Sequence, residues 1–503
     1  MPNLATVFGV GILTDLCAGQ FGLFEYGVVE ESTIEITGYP SSAVGAVSIP
    51  EEIEGKPVTS IGTYAFRDCA QIASVDLPSS LVSIGFGAFS GCRSLTSVEI
   101  PQGVTRIGVY AFQSCTGIES IFLPRNVFQV YGDSFSSCSN MTSIEVDGEN
   151  PNYSSVDGVL FDQDLSELIR YPCGRHGVYS IPQGVTIVGR DAFSSCHELQ
   201  AIHFPASVNQ IEAHAFEFCS QITDVEIPGS VEQVGQYAFF GCSRLRSVLI
   251  HEGLSDLGVG AFKNCRRLAD VVLPDTLPVI SDSAFRFCDS LVTISLPSNL
   301  SSIGPNAFQG CDELAHITIP DTVVSIGDGA FGACQKLTTA VFLGDAPVLG
   351  SWVFISVDPT FSVYFLPGAT GFDAPAWSAY TPLAVDPESE PMEYWLVRHG
   401  FLHSTSMEDD LNGDGVNLLL AYALNLDPRS PHSGMPRAEV DQGTLQMEFY
   451  ASSPGVVYTV ESSADLSSWK DSEVALSSID SGGYRIASIG SASTHRFLRI
   501  KVE

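Results

Sequence analysis

Thirteen cysteines are the residues of this chain with the clearest capacity for chemistry. Thiolates bind zinc when two or more cysteines lie at short spacing, as in Cys-x-x-Cys, and the sequence contains no such pair. Eleven of the cysteines instead recur every 23 residues in two runs, Cys69 to Cys138 and Cys196 to Cys334. This spacing predicts a structural repeat in which each thiol is a small, buried and inert packing residue, with disulfides between neighbouring repeats as the alternative. Cys173 is predicted to lie outside the series.

A second set of candidate ligands lies near the C-terminus. Asp410, Asn412 and Asp414 occupy positions one, three and five of a calcium-loop pattern, and Gly415 occupies position six, where such a loop turns. Position twelve, which normally supplies a bidentate carboxylate, is Ala421. The sequence therefore predicts at most weak Ca²⁺ binding, and a loop that keeps the turn without an ion is the alternative.

The repeating unit indicates which elements hold these side chains. The unit that starts at Cys92 reads CRSLTSVEIPQGVTRIGVYAFQS. Val98 and Ile100 alternate with polar residues before Pro101, which predicts a short strand with one buried face, and a second apolar segment ends at Gly108. One unit is too small to form a core, so successive turns must stack at the strand spacing of about 4.8 Å. The predicted fold is mainly β, a solenoid of about eleven turns.

The solenoid is interrupted once and is flanked by other segments. Cys138 and Cys196 are 58 residues apart, where two repeats would take 46, and turn signals between apolar residues predict a β-hairpin insertion there. The predicted segments are a signal-like or disordered start (1–20), an N-terminal cap (21–60) and the solenoid (61–366) with its hairpin insertion (147–180). A linker (367–391), a helix with the calcium-loop-like segment (392–435) and a small β-domain (436–503) follow.

The motifs L-x-x-V-x-I-P, G-V-x-x-I-G and A-F-x-x-C recur together over roughly residues 24 to 366. Their combination resembles the BspA-like leucine-rich repeat, a family of bacterial surface proteins also found in some eukaryotic parasites. The resemblance implies an extracellular binding or adhesion scaffold without catalytic residues. The segment from Asn417 to Pro428, with the strands predicted after it, resembles the C-terminal regions of secreted planctomycete and verrucomicrobium-type bacterial proteins. That second resemblance implies a secreted or cell-surface location.

Recognition is expected on the outward positions of the strands, because core packing occupies the inward ones. The residue between the last two apolar positions of each strand forms a column along the solenoid. This column is acidic with one Phe in its first half and becomes apolar at Leu249 and Val272, and adjacent exposed apolar residues can mark a contact site. The predicted ligand-binding residues are Phe122, His203, Leu249 and Val272, and the predicted partner is a host or matrix protein or a glycan.

Composition excludes several other functions. The chain has 58 acidic and 23 basic residues, a formal charge of −35, which argues against nucleic acid and anionic membranes as partners. No apolar run reaches the roughly 20 residues that span a bilayer. The metalloprotease, serine-hydrolase and phosphate-loop motifs are missing from the sequence, so no catalysis is predicted. The alternative to a binding scaffold is a structural or secretion-linked envelope protein whose repeats bind no specific ligand.

Overall fold

The structure is a computed structural model of the 503-residue chain. It describes residues 18–385, 438–441, 444–451, 453, 456, 458–463, 474–480, 484–489 and 497–502. Nearly all regular elements are β-strands, so the predicted mainly-β solenoid is confirmed. The chain divides into two compact units, the first formed by Met1–Thr338 with Pro347–Phe361 and the second by Thr339–Ala346 with Ser362–Glu503.

The first unit starts with antiparallel strands that lead into the stacked coils. These strands are β1 (Ala18–Phe21), β2 (Phe24–Val29), β3 (Thr33–Gly38), β4 (Val44–Ser48), β5 (Glu52–Ile53), β6 (Lys56–Ile61) and β7 (Gln71–Asp76). Strands β1 to β3 pair antiparallel, whereas β3 pairs parallel with β6, and β4 pairs parallel with β7. The cap thus already follows the coil path. The parallel pairing of the cap strands contributes to a solenoid of about fifteen turns, whereas the sequence predicts about eleven.

Each coil contributes a strand to one or both of two parallel sheets. The first sheet position is occupied by β7, β9 (Ser97–Val98), β11 (Ser120–Leu123), β12 (Ser143–Val146), β16 (Gly177–Ser180), β18 (Leu199–His203), β20 (Asp224–Ile227), β22 (Ser247–Ile250), β24 (Asp270–Val272) and β27 (His316–Ile319). The second is occupied by two-residue strands, β8 (Ser83–Ile84), β10 (Arg106–Ile107), β17 (Ile187–Val188), β19 (Gln210–Ile211), β21 (Gln233–Val234), β23 (Asp256–Leu257), β25 (Val279–Ile280), β26 (Ser302–Ile303), β28 (Ser325–Ile326) and β30 (Val348–Leu349). We refer to the outer surface of the first position as the strand face.

The core between the two sheet positions is a stack of identical side chains. Phe262 and Phe285, one repeat apart, have ring centroids 5.6 Å apart and planes inclined by 7°, and the same stacking recurs in neighbouring coils. The Cys265 thiol donates a hydrogen bond to the carbonyl oxygen of Phe239 at 3.2 Å. Ten free cysteines are all buried, which confirms for them the predicted packing role. Burial raises the thiol pKa values, to about 12 at Cys92, so the thiols stay neutral and unreactive.

Successive coils approach closely at one corner, where most coils have glycine. A Cβ placed on Gly108 would lie 2.8 Å from the carbonyl carbon of Gly85 in the preceding coil. The glycine that ends the G-V-x-x-I-G motif therefore allows the close approach seen at Gly108, whereas Glu212 and Ser281 occupy the same position in two other coils.

The insertion is an antiparallel meander of β13 (Tyr153–Val156), β14 (Val159–Asp162) and β15 (Glu167–Arg170), which confirms the predicted hairpin. Strand β15 then pairs parallel with β17, so the coil path has already resumed before β16. The placement of Cys173 outside the cysteine series is wrong, because Cys173 lies 23 residues before Cys196 and forms a disulfide with it. The residues by which the insertion exceeds the 23-residue period therefore all lie between Cys138 and Cys173.

The second unit contains parallel strands, a compact aromatic cluster and a separate group of antiparallel strands. Its strands are β29 (Thr339–Phe342), β31 (Ser362–Phe365), β32 (Leu383–Ala384), β33 (Ala438–Asp441), β34 (Thr444–Tyr450), β35 (Tyr458–Ser463), β36 (Ala475–Leu476), β37 (Tyr484–Ile489) and β38 (Phe497–Val502). Strands β29, β31 and β32 pair parallel, and a 3₁₀ turn at Pro375–Trp377 buries Trp377 against Phe342 and Phe372. The later strands pair antiparallel over buried Met447 and Phe449, which confirms the small β region.

Candidate functional site

Leu249 and Val272 lie side by side on the strand face. Strands β20, β22 and β24 pair in parallel register, which aligns Glu226, Leu249 and Val272 across the sheet. Leu249 is 37% exposed and Val272 is 55% exposed, whereas Val248 beside them on β22 is 1% exposed. The alternation required by a strand with one buried face is therefore present, and the apolar side chains of this pair point away from the core.

The other two predicted contact residues do not join this pair. His203 is exposed at the end of β18, opposite Ser180, and lies two repeats before Leu249 with Glu226 between them. Phe122 is 46% exposed on β11, opposite Glu145 of β12. The inserted meander follows β12 directly, and it therefore lies in the chain between the coil of Phe122 and that of His203. The four residues thus occupy one face but three separate places on it.

Acidic side chains border the apolar pair. Asp224 and Glu226 are exposed on β20, and Asp270 is exposed on β24. The Ser247 hydroxyl donates a hydrogen bond to the Asp224 carboxylate at 2.5 Å, and this bond lowers the pKa of Asp224. Glu226 pairs with His251 at 2.8 Å. Three carboxylates therefore lie beside Leu249 and Val272, and Arg246 is close enough to Asp224 for their charges to interact.

A second group of functional side chains was missed by the sequence analysis. Asp191, His214 and Glu217 are partly buried, and their carboxylate oxygens and imidazole nitrogen lie within 4.8 Å of one another. His214 Nδ1 is 2.9 Å from Glu217 Oε2. Among the residues that the structure describes, this is the one group of three such side chains with this geometry.

The turns of two successive coils position this group. Asp191 and His214 are one repeat apart and both adopt a left-handed backbone conformation, with φ of 58° and 60°. Other coils place glycine, serine or asparagine at the same position, as at Gly260, Ser283 and Asn306, and Tyr237 in the coil after that of His214 has the same left-handed conformation, with φ of 56°. This column of turn residues, read at the 23-residue period, is the signal that could have revealed the group from sequence.

Buried charges lie next to this group. Arg170 is 1% exposed, and its guanidinium donates to the carbonyl oxygens of Asp191 at 2.5 Å, Phe135 at 3.3 Å and Ser194 at 3.2 Å. Burial, together with the Asp191 charge, raises the pKa of Asp133 to about 6. Burial raises the pKa of Asp191 as well. The carboxylates are therefore held in surroundings that disfavour uncompensated negative charge.

The predicted calcium ligands Asp410, Asn412 and Asp414 lie outside the described residues. Where the structure does describe the chain, it contains no helix of the length and apolar character needed to cross a bilayer.

Parallel coils stacked on a shared apolar core, with one sheet face left to solvent, define a solenoid of the leucine-rich-repeat class, whose proteins serve as binding or scaffold proteins and are not typically enzymes. The chain belongs to the BspA-type leucine-rich-repeat family. The model of the BspA type leucine rich repeat region matches it in six copies over residues 41–162, 171–291 and 256–372.

The chain is similar to several solved structures of bacterial leucine-rich-repeat proteins. A protein from Eubacterium ventriosum is 23% identical with a TM-score of 0.45, covering 58% of this chain and 93% of that one. A protein from Bacteroides ovatus is 22% identical with a TM-score of 0.46, covering 73% and 100%. A leucine rich cell surface protein from Faecalibacterium prausnitzii is 22% identical with a TM-score of 0.38, covering 66% and 96%. No protein with a curated description is detectably similar in sequence.

Proposed function

We propose that the protein is secreted or displayed at the cell surface and binds a host or matrix protein through the strand face around Leu249 and Val272. The observation that carries this proposal is the registered, exposed apolar pair in a column that is otherwise mostly polar. Exposed apolar side chains in adjacent strands are retained at a cost in solubility, and contact with a partner removes them from water.

The chemistry of the face favours a protein over a glycan. Sugar rings are usually bound by stacking on aromatic side chains, whereas Leu249 and Val272 are aliphatic. The carboxylates of Asp224, Glu226 and Asp270 lie beside the pair and complement a basic rim on the partner. The partner we expect therefore presents an apolar side chain within a ring of Lys and Arg.

Two observations support an extracellular location. The disulfide between Cys173 and Cys196 is typical of oxidising compartments, because the cytosol keeps thiols reduced. Membership of the BspA-type family agrees with this location, because proteins of that family are described as surface proteins.

The proposal is tested by probing an array of matrix proteins and glycans with the full chain and with two double variants. L249E with V272E places charge in the proposed contact, and we expect it to weaken binding to the captured protein at least about tenfold. V279E with V324E is the matched control, because these valines are 36% and 66% exposed but lie away from the strand face, Val279 in β25 and Val324 directly before β28. The control should bind normally.

Three outcomes contradict the proposal. An array on which the wild-type chain binds nothing favours the structural envelope protein. Capture of glycans alone refutes the protein partner. Normal binding by the folded L249E and V272E variant removes this part of the strand face from the site.

A further inference from the structure

We propose that Asp191, His214 and Glu217 form a binding site for a divalent metal ion of the zinc class, at the turn edge of the two coils that follow the insertion. The three side chains offer one imidazole nitrogen and two carboxylate oxygens. This mixed donor set suits Zn²⁺, whereas Ca²⁺ and Mg²⁺ prefer oxygen ligands alone and Cu⁺ prefers sulfur. The site is distinct from the strand face proposed for partner binding.

The geometry is close to that of a bound ion. Ligand atoms around a tetrahedral Zn²⁺ lie about 3.3 Å apart. His214 Nδ1 and Glu217 Oε2 are 2.9 Å apart, and all three ligand atoms lie within 4.8 Å of one another. Small side-chain rotations would bring Asp191 to the ligand distance, and the fourth position would be open to water. The metal would take the place of the present hydrogen bond between His214 and Glu217.

The backbone holds the three ligands in fixed positions. The Asp191 amide donates to the carbonyl oxygen of Ala213 at 3.2 Å, and the His214 amide donates to that of Gln236 at 3.0 Å. The Glu217 amide donates to the carbonyl oxygen of His214 at 3.1 Å, which fixes these two ligands relative to each other. Ligands on a rigid scaffold lose little conformational freedom when the ion binds.

A network of ion pairs around the buried Arg170 is the competing explanation for these carboxylates. The contacts of Arg170 argue against it, because its guanidinium donates to three carbonyl oxygens and to Cys173 Sγ rather than to a carboxylate. Among the described residues, no side-chain hydrogen bond or ion pair reaches the Asp191 carboxylate. His214, Arg170 and Arg190 act on the Asp191 carboxylate through their charge, without a hydrogen bond or an ion pair to it among the described residues.

An unpaired oxygen beside the group points to a missing cation. Oδ1 of Asp133 is buried and has no hydrogen-bond partner among the described residues. Asp133 lies close enough to Asp191 for the two charges to interact. A buried carboxylate oxygen without a partner is costly, and a divalent ion at the adjacent Asp191 would compensate this charge.

The test is isothermal titration of the full chain with ZnCl₂ after removal of metals by a chelator. We expect one Zn²⁺ per chain, and a loss of affinity of at least about tenfold in H214A and in D191N, each of which removes one ligand. H251A is the matched control, because His251 forms a similar pair with Glu226 at 2.8 Å but belongs to no group of three ligands. Its Zn²⁺ affinity should equal that of the wild type.

A second measurement separates loss of the site from loss of the fold. Zn²⁺ should raise the Tm of the wild type and of H251A but raise that of D191N less at the same Zn²⁺ concentration, because stabilisation by an ion that binds the native state falls as the affinity falls. No Zn²⁺ binding by the wild type overturns the proposal. Equal binding by the wild type, H214A and D191N also overturns it, since the ion would then lie elsewhere.

Discussion

Replacement of Arg170 tests how the coils on the two sides of the insertion are joined. Arg170 stands three residues before Cys173, where most other coils have the stacked phenylalanine, and Tyr171 next to it packs on Phe193 with ring centroids 5.0 Å apart. The guanidinium donates to the carbonyl oxygen of Phe135 on one side of the meander and to those of Asp191 and Ser194 on the other. One side chain thus bridges both parts of the solenoid.

The magnitude follows from the groups that would lose their partner. R170M keeps the length of the side chain but removes the three hydrogen bonds that the guanidinium donates to carbonyl oxygens, of which those of Phe135 and Asp191 keep the backbone N–H donors of Cys138 and Ser194. Each hydrogen bond to a charged group contributes about 1.5 to 3 kcal/mol, and removal of one member of a buried charged network costs about 3 to 5 kcal/mol. R170M also removes the cost of taking the guanidinium out of water, which offsets part of the lost hydrogen bonding. We therefore expect R170M to lower the free energy of unfolding by about 3 to 5 kcal/mol in total.

Urea unfolding followed by circular dichroism measures this loss, and hydrogen exchange with mass spectrometry localises it. Faster exchange should be confined to the coils around residues 132–138 and 187–196. R190M is the control, because Arg190 is exposed and the change should be within about 0.5 kcal/mol. Wild-type stability and exchange in R170M would refute the bridging role.

Three further predictions concern the core. F262A should lower the free energy of unfolding by about 3 to 5 kcal/mol in urea, because it removes a ring from the stack, whereas F218A, 44% exposed, should cost far less. Stability should fall above pH 9, because burial raises the native pKa of Cys92 from 9.0 to about 12. The stabilisation that comes from this raised pKa is complete below the unfolded-state pKa and is lost as the pH rises toward the native pKa. C92A should reduce the loss of stability between pH 8 and pH 10, measured by urea titration at each pH, by about 1.4 kcal/mol. Peptide mapping after alkylation without reductant should recover Cys173 linked to Cys196.

Each of these predictions has an outcome that contradicts it. Equal destabilisation by F262A and F218A would mean that the rings do not form a shared core. A C92A variant with the same pH dependence as the wild type would place that thiol in contact with water. Recovery of Cys173 and Cys196 as separate alkylated peptides would disprove the disulfide, and alkylation of the ten free cysteines before denaturation would disprove their burial.

The solenoid was predictable because one physical constraint recurs in every turn. Val98, Ile100 and Phe112 each bury the same face as their counterparts 23 residues away, so a single unit contains the pattern of the whole stack. The number of turns was not predictable in the same way. The strands of the N-terminal cap pair in parallel with the coils but lack the Ala-Phe-Cys motif by which the turns were counted.

The remaining differences have specific physical causes. Cys173 was misplaced because the motif before it is altered, with Ile169 and Arg170 in place of Ala-Phe, although its distance from Cys196 is one full period. Asp191 and His214 were missed because motif searches look for ligands at short spacing. In a solenoid, residues one period apart are neighbours in space, so ligand sets must be sought along columns as well as along the chain.

Distances between spin labels on the strand face test most directly whether the coils stack in register. Pairs that combine S180C with V272C, S295C or T318C span four, five and six repeats, and the native cysteines described by the structure are too buried to be labelled. At a spacing of about 4.8 Å per coil, pulsed electron paramagnetic resonance should give about 19, 24 and 29 Å, a linear increase. The wild-type chain carried through the same labelling gives the background. Distances that do not grow with the number of repeats would contradict the stacked solenoid.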